Sequence, residues 1–290
     1  MFKAHSLTSL IKIIHIAGTK GKGSVCHYIN ALLVENFLLT MPDVKTGLFI
    51  SPHITDYRER ICINSKKLPH DRFDAYVSTA RMGLNGTRLG YFRSFTLYSF
   101  IAFLLEKVSV AVYETGVGGL NDSTNVVEKP VVTGITRIGM DHIRTLGPSL
   151  RDIAAHKAGI IKKGRPVFTV SQEPEVWNIL KERADECQSS LIHVTIAPEL
   201  HCLPGAQAEN ASLAWAITRA FFKETGLRLV LSQDQAFDIM RHTNVRGRYQ
   251  VILQHRTQWL IDGAHNTLCV PPLIQWINQT LAESESRHVP

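Results

Sequence analysis

Much of what this sequence says at first comes from what it lacks. Its five cysteines, Cys26, Cys62, Cys187, Cys202 and Cys269, are scattered, odd in number and never spaced C-x-x-C. That argues against a disulfide framework and a structural zinc site, and for thiols in a reducing compartment such as cytosol or an organelle matrix. No apolar run approaches the roughly 20 residues needed to cross a bilayer. The apolar segment near the start is short and runs straight into a glycine-rich turn, so a cleaved signal peptide is not expected either. The 32 Lys and Arg outnumber the 25 Asp and Glu, for a net charge of +7, yet they form no basic block. Nucleic acid is therefore disfavoured, and anionic small molecules account for the charge. Internal repeats and low-complexity tracts are also missing; only residues 282–290 read as a polar, frayed end.

What is present is organised around the stretch from His15 to Ser24. An apolar, β-branched run over residues 12–17 reads as a strand, and residues 25–34 space their apolar side chains like a buried helix. Gly18, Gly21 and Gly23 lie between them, where the backbone can take positive φ and surround an oxyanion with N–H groups, and Lys22 adds a full charge. Against G-x-x-x-x-G-K-[ST] the fit is imperfect: the first glycine falls at Ile16 and the residue after Lys22 is Gly23. Alone, this shortened phosphate loop points to a nucleoside triphosphate, with a flexible polar turn as the bland alternative.

Further strands are expected over 44–50, 61–64, 108–113, 130–135 and 165–170, with helices over 95–105, 150–161 and 176–184. That alternation predicts a doubly wound parallel α/β sheet, whose ligands sit outside the carboxyl ends of the strands. Ser51 and His53 follow one strand, although Ser-Pro also reads as an ordinary turn. Glu114 ends another, beside the glycine turn 116–119, as a natural Mg²⁺ anchor or a capping acid. Asp141, His142, His156 and Lys157 gather beyond a third. After a helix over 210–222, a strand pair over 245–253 and 258–262 and a helix over 270–281 suggest a second domain. The 290 residues allow about two domains at roughly 150 residues each. The expected division is 1–244 for an ATP-binding central domain and 245–290 for an incomplete second α/β domain.

Gly18-Thr-Lys-Gly-Lys-Gly-Ser24, Ile50-Ser-Pro-His53, Tyr57-Arg-Glu-Arg-Ile61, Glu114-Thr-Gly-Val-Gly-Gly119 with Asp122-Ser-Thr-Asn125, Asp141-His142, His156-Lys-Ala-Gly-Ile160, Gly247-Arg-Tyr-Gln250 and Asp262-Gly-Ala-His-Asn266 follow one another in this order. Together they resemble the folylpolyglutamate synthases of the Mur ligase superfamily. Tyr91-Phe-Arg93, Thr96-Leu97 and the stretch 128–134 are similar to eukaryotic, fungal-type members.

The resemblance implies a monomeric enzyme of the cytoplasm or mitochondrial matrix serving one-carbon metabolism. Its reaction is the ATP-dependent addition of L-glutamate to the γ-carboxyl of a reduced folate's glutamate tail through an acyl phosphate. Mg²⁺ is the implied cofactor, with a monovalent cation as an optional further one. Thr19, Lys20, Gly21, Lys22, Gly23 and Ser24 match the phosphate-binding loop, and Asn210, Arg248 and Asp262 match residues contacting ATP. Ser51 and Glu114 match ligands of one Mg²⁺, and His142 of a second. Lys22, His142, Lys157 and His265 form the implied catalytic set, with Lys157 carbamylated and His265 handling the incoming glutamate. Tyr91, Phe92 and residues 58–60 fall in the region associated with folate. Family members carry a helix and loop ahead of the phosphate loop and a second domain continuing past the Asp262 motif. On that pattern the chain is expected to be shortened at both ends. Two outcomes stay open, a ligase of this type and a nucleotide-binding remnant that ligates poorly.

Overall fold

The β-branched run over 12–17 becomes β1 (Lys12–Ala17) and feeds the glycine turn into α1 (Lys22–Thr40). The structure, a computed structural model, describes residues 10–255, 257–265 and 268–286. α1 runs past the expected end at residue 34 because its later polar residue is satisfied inside the fold: Asn36 Nδ2 donates to the Arg228 carbonyl at 3.0 Å, and Asn36 Oδ1 accepts from the Val230 N–H at 2.8 Å.

Then follow β2 (Lys45–Phe49), a 3₁₀ turn (Tyr57–Arg60), β3 (Ile61–Ile63), β4 (Lys66–Lys67), α2 (His70–Gly83), α3 (Tyr91–Leu105) and β5 (Val108–Glu114). A second 3₁₀ turn (Ser123–Val126) leads to β6 (Val132–Ile135), α4 (Ile143–Leu146), α5 (Leu150–Ala158), β7 (Val167–Thr169), α6 (Pro174–Glu186) and β8 (Leu191–His193). The chain continues through α7 (Gln207–Thr225), α8 (Gln233–His242), β9 (Gln250–Gln254), β10 (Thr257–Ile261) and α9 (Val270–Ser286). Of the polar end expected over 282–290, residues 282–286 belong to α9 and the rest lie outside the described residues.

The main sheet has eight strands in the order β4-β3-β2-β5-β1-β6-β7-β8, and its strands from β2 to β8 pair in parallel. The expected parallel sheet thus acquires an antiparallel edge, β3 on β2 and β4 on β3. Asn64 and Ser65, with φ of 48° and 62°, make the tight turn that this hairpin needs. Because both faces of the sheet are covered, its central strands read as continuous apolar runs rather than alternating ones. Ile14 and Ile16 of β1 enter a core with α1, α7 and α8, while Ile13 enters one on the opposite face with α2 and α3. Beside the latter, α5 and α6 pack on β6 and β7.

β9 and β10 form a separate antiparallel pair. β9 starts later than the expected residue 245 because the chain first turns, with Gly247 at φ 66° and the Arg248 N–H on the Val245 carbonyl at 3.1 Å. Trp276 of α9 is buried and meets Tyr249 edge to face at 5.3 Å. Among the described residues no helix is long and apolar enough to cross a membrane.

Candidate active site

β1 and β5 are neighbours whose outgoing connections diverge, that of β1 toward β2 and that of β5 across to β6, which opens a crevice at their carboxyl ends. Gly21 caps α1 from the left-handed region, φ 89°, and no side chain caps the helix. The first N–H groups of α1, which have no intrahelical partner, are thereby left for a ligand. A Cβ on Gly21 would stand 2.1 Å from Asn210 Oδ1, so only glycine lets α7 approach the loop this closely. Thr19 serves the loop itself: its hydroxyl donates to the Gly139 carbonyl at 3.0 Å, and its N–H donates to the Arg137 carbonyl at 3.0 Å.

The loop faces a crevice of about 1110 Å³ lined by Thr19, Lys20, Gly21, Lys22, Gly23 and Ser24, and across from them by Ser51, Glu114, His142, Asn210, Arg248, Asp262 and His265. Lys157 is the expected site residue that does not reach its wall. It sits beneath the loop, 2% exposed, with Nζ donating to the Gly18 carbonyl at 2.7 Å. Burial, and next the charge of Lys22, hold its ammonium far below the usual lysine range.

Glu114, the last residue of β5, is 4% exposed and accepts the Ser51 N–H at 2.8 Å. Burial pushes its carboxyl above the usual carboxylate range, against the pull of Lys22, the Ser51 N–H, Arg248 and Arg60. A Cβ on Gly23 would lie 3.6 Å from Glu114 Oε2, so the carboxylate faces the phosphate loop. A buried carboxylate that nearby cations do not fully offset, with a serine beside it, suits a hard cation sharing its ligands with phosphate oxygens. His142 takes a left-handed conformation, φ 51°, and its N–H donates to Asp141 Oδ1 at 2.9 Å. Burial first, then Lys157, Lys22 and Lys20, hold its imidazole below the ordinary value against Asp141, which favours the neutral ring that can ligate a metal.

Lys20, expected in the phosphate-binding loop, lines the crevice and already has partners. Its ammonium pairs with Asp141 at 3.2 Å and donates to His265 Nε2 at 2.8 Å, while His265 Nδ1 meets the Gly263 carbonyl at 2.7 Å. The segment after β10 is thus tied to the loop; Asn266 of the same motif lies outside the described residues. Asp262 accepts the Tyr249 N–H at 2.9 Å, and Arg248 packs where a Cβ on Gly263 would be.

On the same wall, Arg137 gave no signal of its own in the sequence, whereas Arg60 belongs to the stretch 58–60 that the resemblance associates with folate. Arg137 lines the crevice and pairs with Glu209 at 3.0 Å; its place just beyond β6 is the strand-end position at which such a residue is sought. Arg60 is buried, donates to His53 Nδ1 at 2.9 Å and lies 5.2 Å from the ring centres of Tyr91 and Phe95. The second glycine turn is closed to ligands at Gly116 and Val117, whose N–H groups both donate to Asp122 Oδ2.

The chain that carries this arrangement has known relatives. The family model described as the Mur ligase middle domain matches residues 16–251. The chain belongs to the Mur ligase family. It is 37% identical over 275 residues to the folylpolyglutamate synthase of Neurospora crassa, covering 88% of this chain and 52% of that protein. To the mitochondrial folylpolyglutamate synthase of Bos taurus it is 34% identical over 315 residues, covering 95% and 52%. The chain therefore spans about half the length of the curated relatives it matches. A solved complex of a folylpolyglutamate synthase with AMPPCP and folate superposes with a TM-score of 0.84 at 26% identity, over 96% of this chain and 75% of that one. The Mur ligase α/β fold expected from motif order is thus the fold observed.

Proposed function

We propose that this chain carries the nucleotide-activating centre of an ATP-dependent ligase that adds L-glutamate to the γ-carboxyl of a reduced folate's glutamate tail. The observation that carries this reading is the uncapped, glycine-lined N-terminus of α1 facing the buried Glu114, in a chain 37% identical to a folylpolyglutamate synthase. The γ-phosphoryl group passes to the tail carboxylate, giving an acyl phosphate; the glutamate amine then attacks its carbonyl and phosphate leaves. The loop N–H groups and Lys22 hold the phosphates in line for transfer. Mg²⁺ held by Ser51 and Glu114, with a second at His142, would spread charge on the transferring group. Asn210, Arg248 and Asp262 complete the nucleotide site from α7 and the β9–β10 segment, His265 receives glutamate, and Tyr91, Phe92 and Arg60 face folate.

Carbamylation of Lys157 belongs to the same reading, since the neutral amine that burial favours is the form that adds to CO₂ with loss of a proton. So does the treatment of residues 245–290 as the opening of a second domain that closes on the first, of the chain as a monomer, and of a reducing cytosolic or mitochondrial setting, which all five cysteines, being free thiols, suit.

The test is incorporation of labelled L-glutamate into tetrahydrofolate monoglutamate with Mg-ATP, beside a calorimetric titration of the nucleotide. Binding together with tail extension is expected. Absence of Mg-ATP binding would overturn the nucleotide assignment, and binding without extension would leave a nucleotide-binding remnant.

A further inference from the structure

Asp122, on the wall of the crevice, accepts four hydrogen bonds. Its Oδ2 accepts the N–H groups of Gly116 at 2.9 Å and Val117 at 3.0 Å, and its Oδ1 accepts the Thr124 N–H at 3.0 Å and the Thr124 hydroxyl at 2.6 Å. Converging N–H groups in a glycine turn form an anion nest, and here the protein fills it with its own carboxylate. Thr124 spends its single hydroxyl proton on Asp122, so its oxygen can only accept from His15 Nε2, 2.8 Å away. His15 is therefore the Nε2–H tautomer. It lies wholly buried on β1, and burial, helped by the charge of Lys162, pushes its pKa down to about 3, so the ring is neutral. Its Nδ1 has no partner among the described residues.

The placement explains what that bond does. β1 and β5 are neighbours, and the Thr115 N–H still donates to the Ile16 carbonyl at 2.9 Å, which extends their ladder by one residue past Glu114. Beyond it the turn is tied back through Asp122.

We propose that His15 and Thr124 are positioning residues that lock Asp122 into the Gly116–Val117 nest and so hold Glu114 against Ser51 and the phosphate loop, setting the affinity for the divalent cation that accompanies the nucleotide. This rests on Glu114 as a cation ligand under the proposed function.

Thr124→Val removes the hydroxyl at nearly constant shape, Thr124→Ser keeps it, and His15→Gln keeps an N–H donor of similar reach. ATP affinity is titrated on the whole chain across Mg²⁺ concentrations, with amide hydrogen exchange followed at Gly116 and Val117. For Thr124→Val the Mg²⁺ concentration giving half of the enhancement should rise by about tenfold or more, the usual effect of losing a group that orients a metal ligand. Affinity without Mg²⁺ should hold, and both amides should exchange faster; Thr124→Ser and His15→Gln should restore the wild-type response. A Thr124→Val protein that melts earlier but keeps wild-type Mg²⁺ dependence overturns the proposal, because its role is then only structural. If that variant does not fold, His15→Gln is compared with His15→Asn, whose shorter amide does not reach Thr124; equal Mg²⁺ dependence overturns the proposal equally. No Mg²⁺ enhancement in the wild type overturns the Glu114 assignment, and the exchange rates then test the lock by themselves.

Discussion

Lys20 and Lys22 stand two positions apart in one loop, yet they face different partners. The charge of Lys20 is already answered by Asp141 and shared with His265, whereas Lys22 lines the crevice and acts on Glu114 and Lys157. Lys22→Ala should therefore weaken ATP binding by about tenfold or more, roughly 1.4 kcal/mol for a charge-assisted contact, and Lys20→Ala by less. Calorimetric titration of both variants checks this; equal losses would mean that the Lys20 pairing gives way to nucleotide. Glu114→Gln removes a buried charge that its surroundings do not fully stabilise. The Mg²⁺ enhancement of nucleotide affinity should vanish while the melting temperature holds or rises, because the desolvation of the carboxylate is relieved. A lower melting temperature with Mg²⁺ dependence intact would make Glu114 a structural residue.

At the level of elements, β1 is joined to the 3₁₀ turn Ser123–Val126 by the buried imidazole of His15, and this link responds to acid. A folded pKa of about 3 against an ordinary 6.5 means that the unfolded chain binds the proton first. The stability the neutral ring contributes is complete above pH 6.5 and is lost progressively as pH falls toward 3, on the order of 1 kcal/mol per pH unit. His27, held at about 4 by burial, acts in the same direction, so the comparison isolates His15: urea midpoints at pH 7, 6 and 5 should fall more steeply for wild type than for His15→Gln. Parallel slopes would show that the ring is protonated in the fold. The same elements show where sequence pattern succeeds. β1 and β5 were legible because buried parallel strands are predominantly apolar and β-branched. β4 was not, since Lys66 and Lys67 are exposed and carry no apolar signal; their pairing with β3 runs through the backbone, and the Lys67 ammonium turns to Asp56 at 2.9 Å. The end of α1 was missed because Asn36 looks like a helix breaker until the segment between α7 and α8 supplies both of its partners, the Arg228 carbonyl and the Val230 N–H.

Across the whole molecule, the segment after α8 is held to the sheet domain by Lys20 with His265 at the crevice and by the ion pair of Arg246 with Glu59 at 3.1 Å. Arg248 and Asp262 line the same space as the phosphate loop, so a nucleotide seated there adds bonds to both parts at once. Mg-ATP is expected to slow amide exchange over residues 248–265 as well as over the loop. Protection confined to residues 18–24 would show that the later segment takes no part in binding.

The chain's own order of residues determined the chemistry available: a glycine-lined loop between strand and helix, acids and imidazoles at strand ends, and thiols without pairing. These signals are local, set by backbone freedom and by the period of apolar side chains, and so they survive in a linear reading. Tertiary structure decided which of those groups face the ligand. Lys20 is claimed by a histidine 245 positions away, the nest at Gly116 and Val117 is filled by Asp122, and Asp122 is locked through a threonine 109 positions from the imidazole that holds it. Lys157, expected in the catalytic set, is buried under the phosphate loop, its Nζ on the Gly18 carbonyl 139 positions away. Such pairings depend on which strands the fold sets side by side, and no periodicity along the chain encodes a contact across that distance.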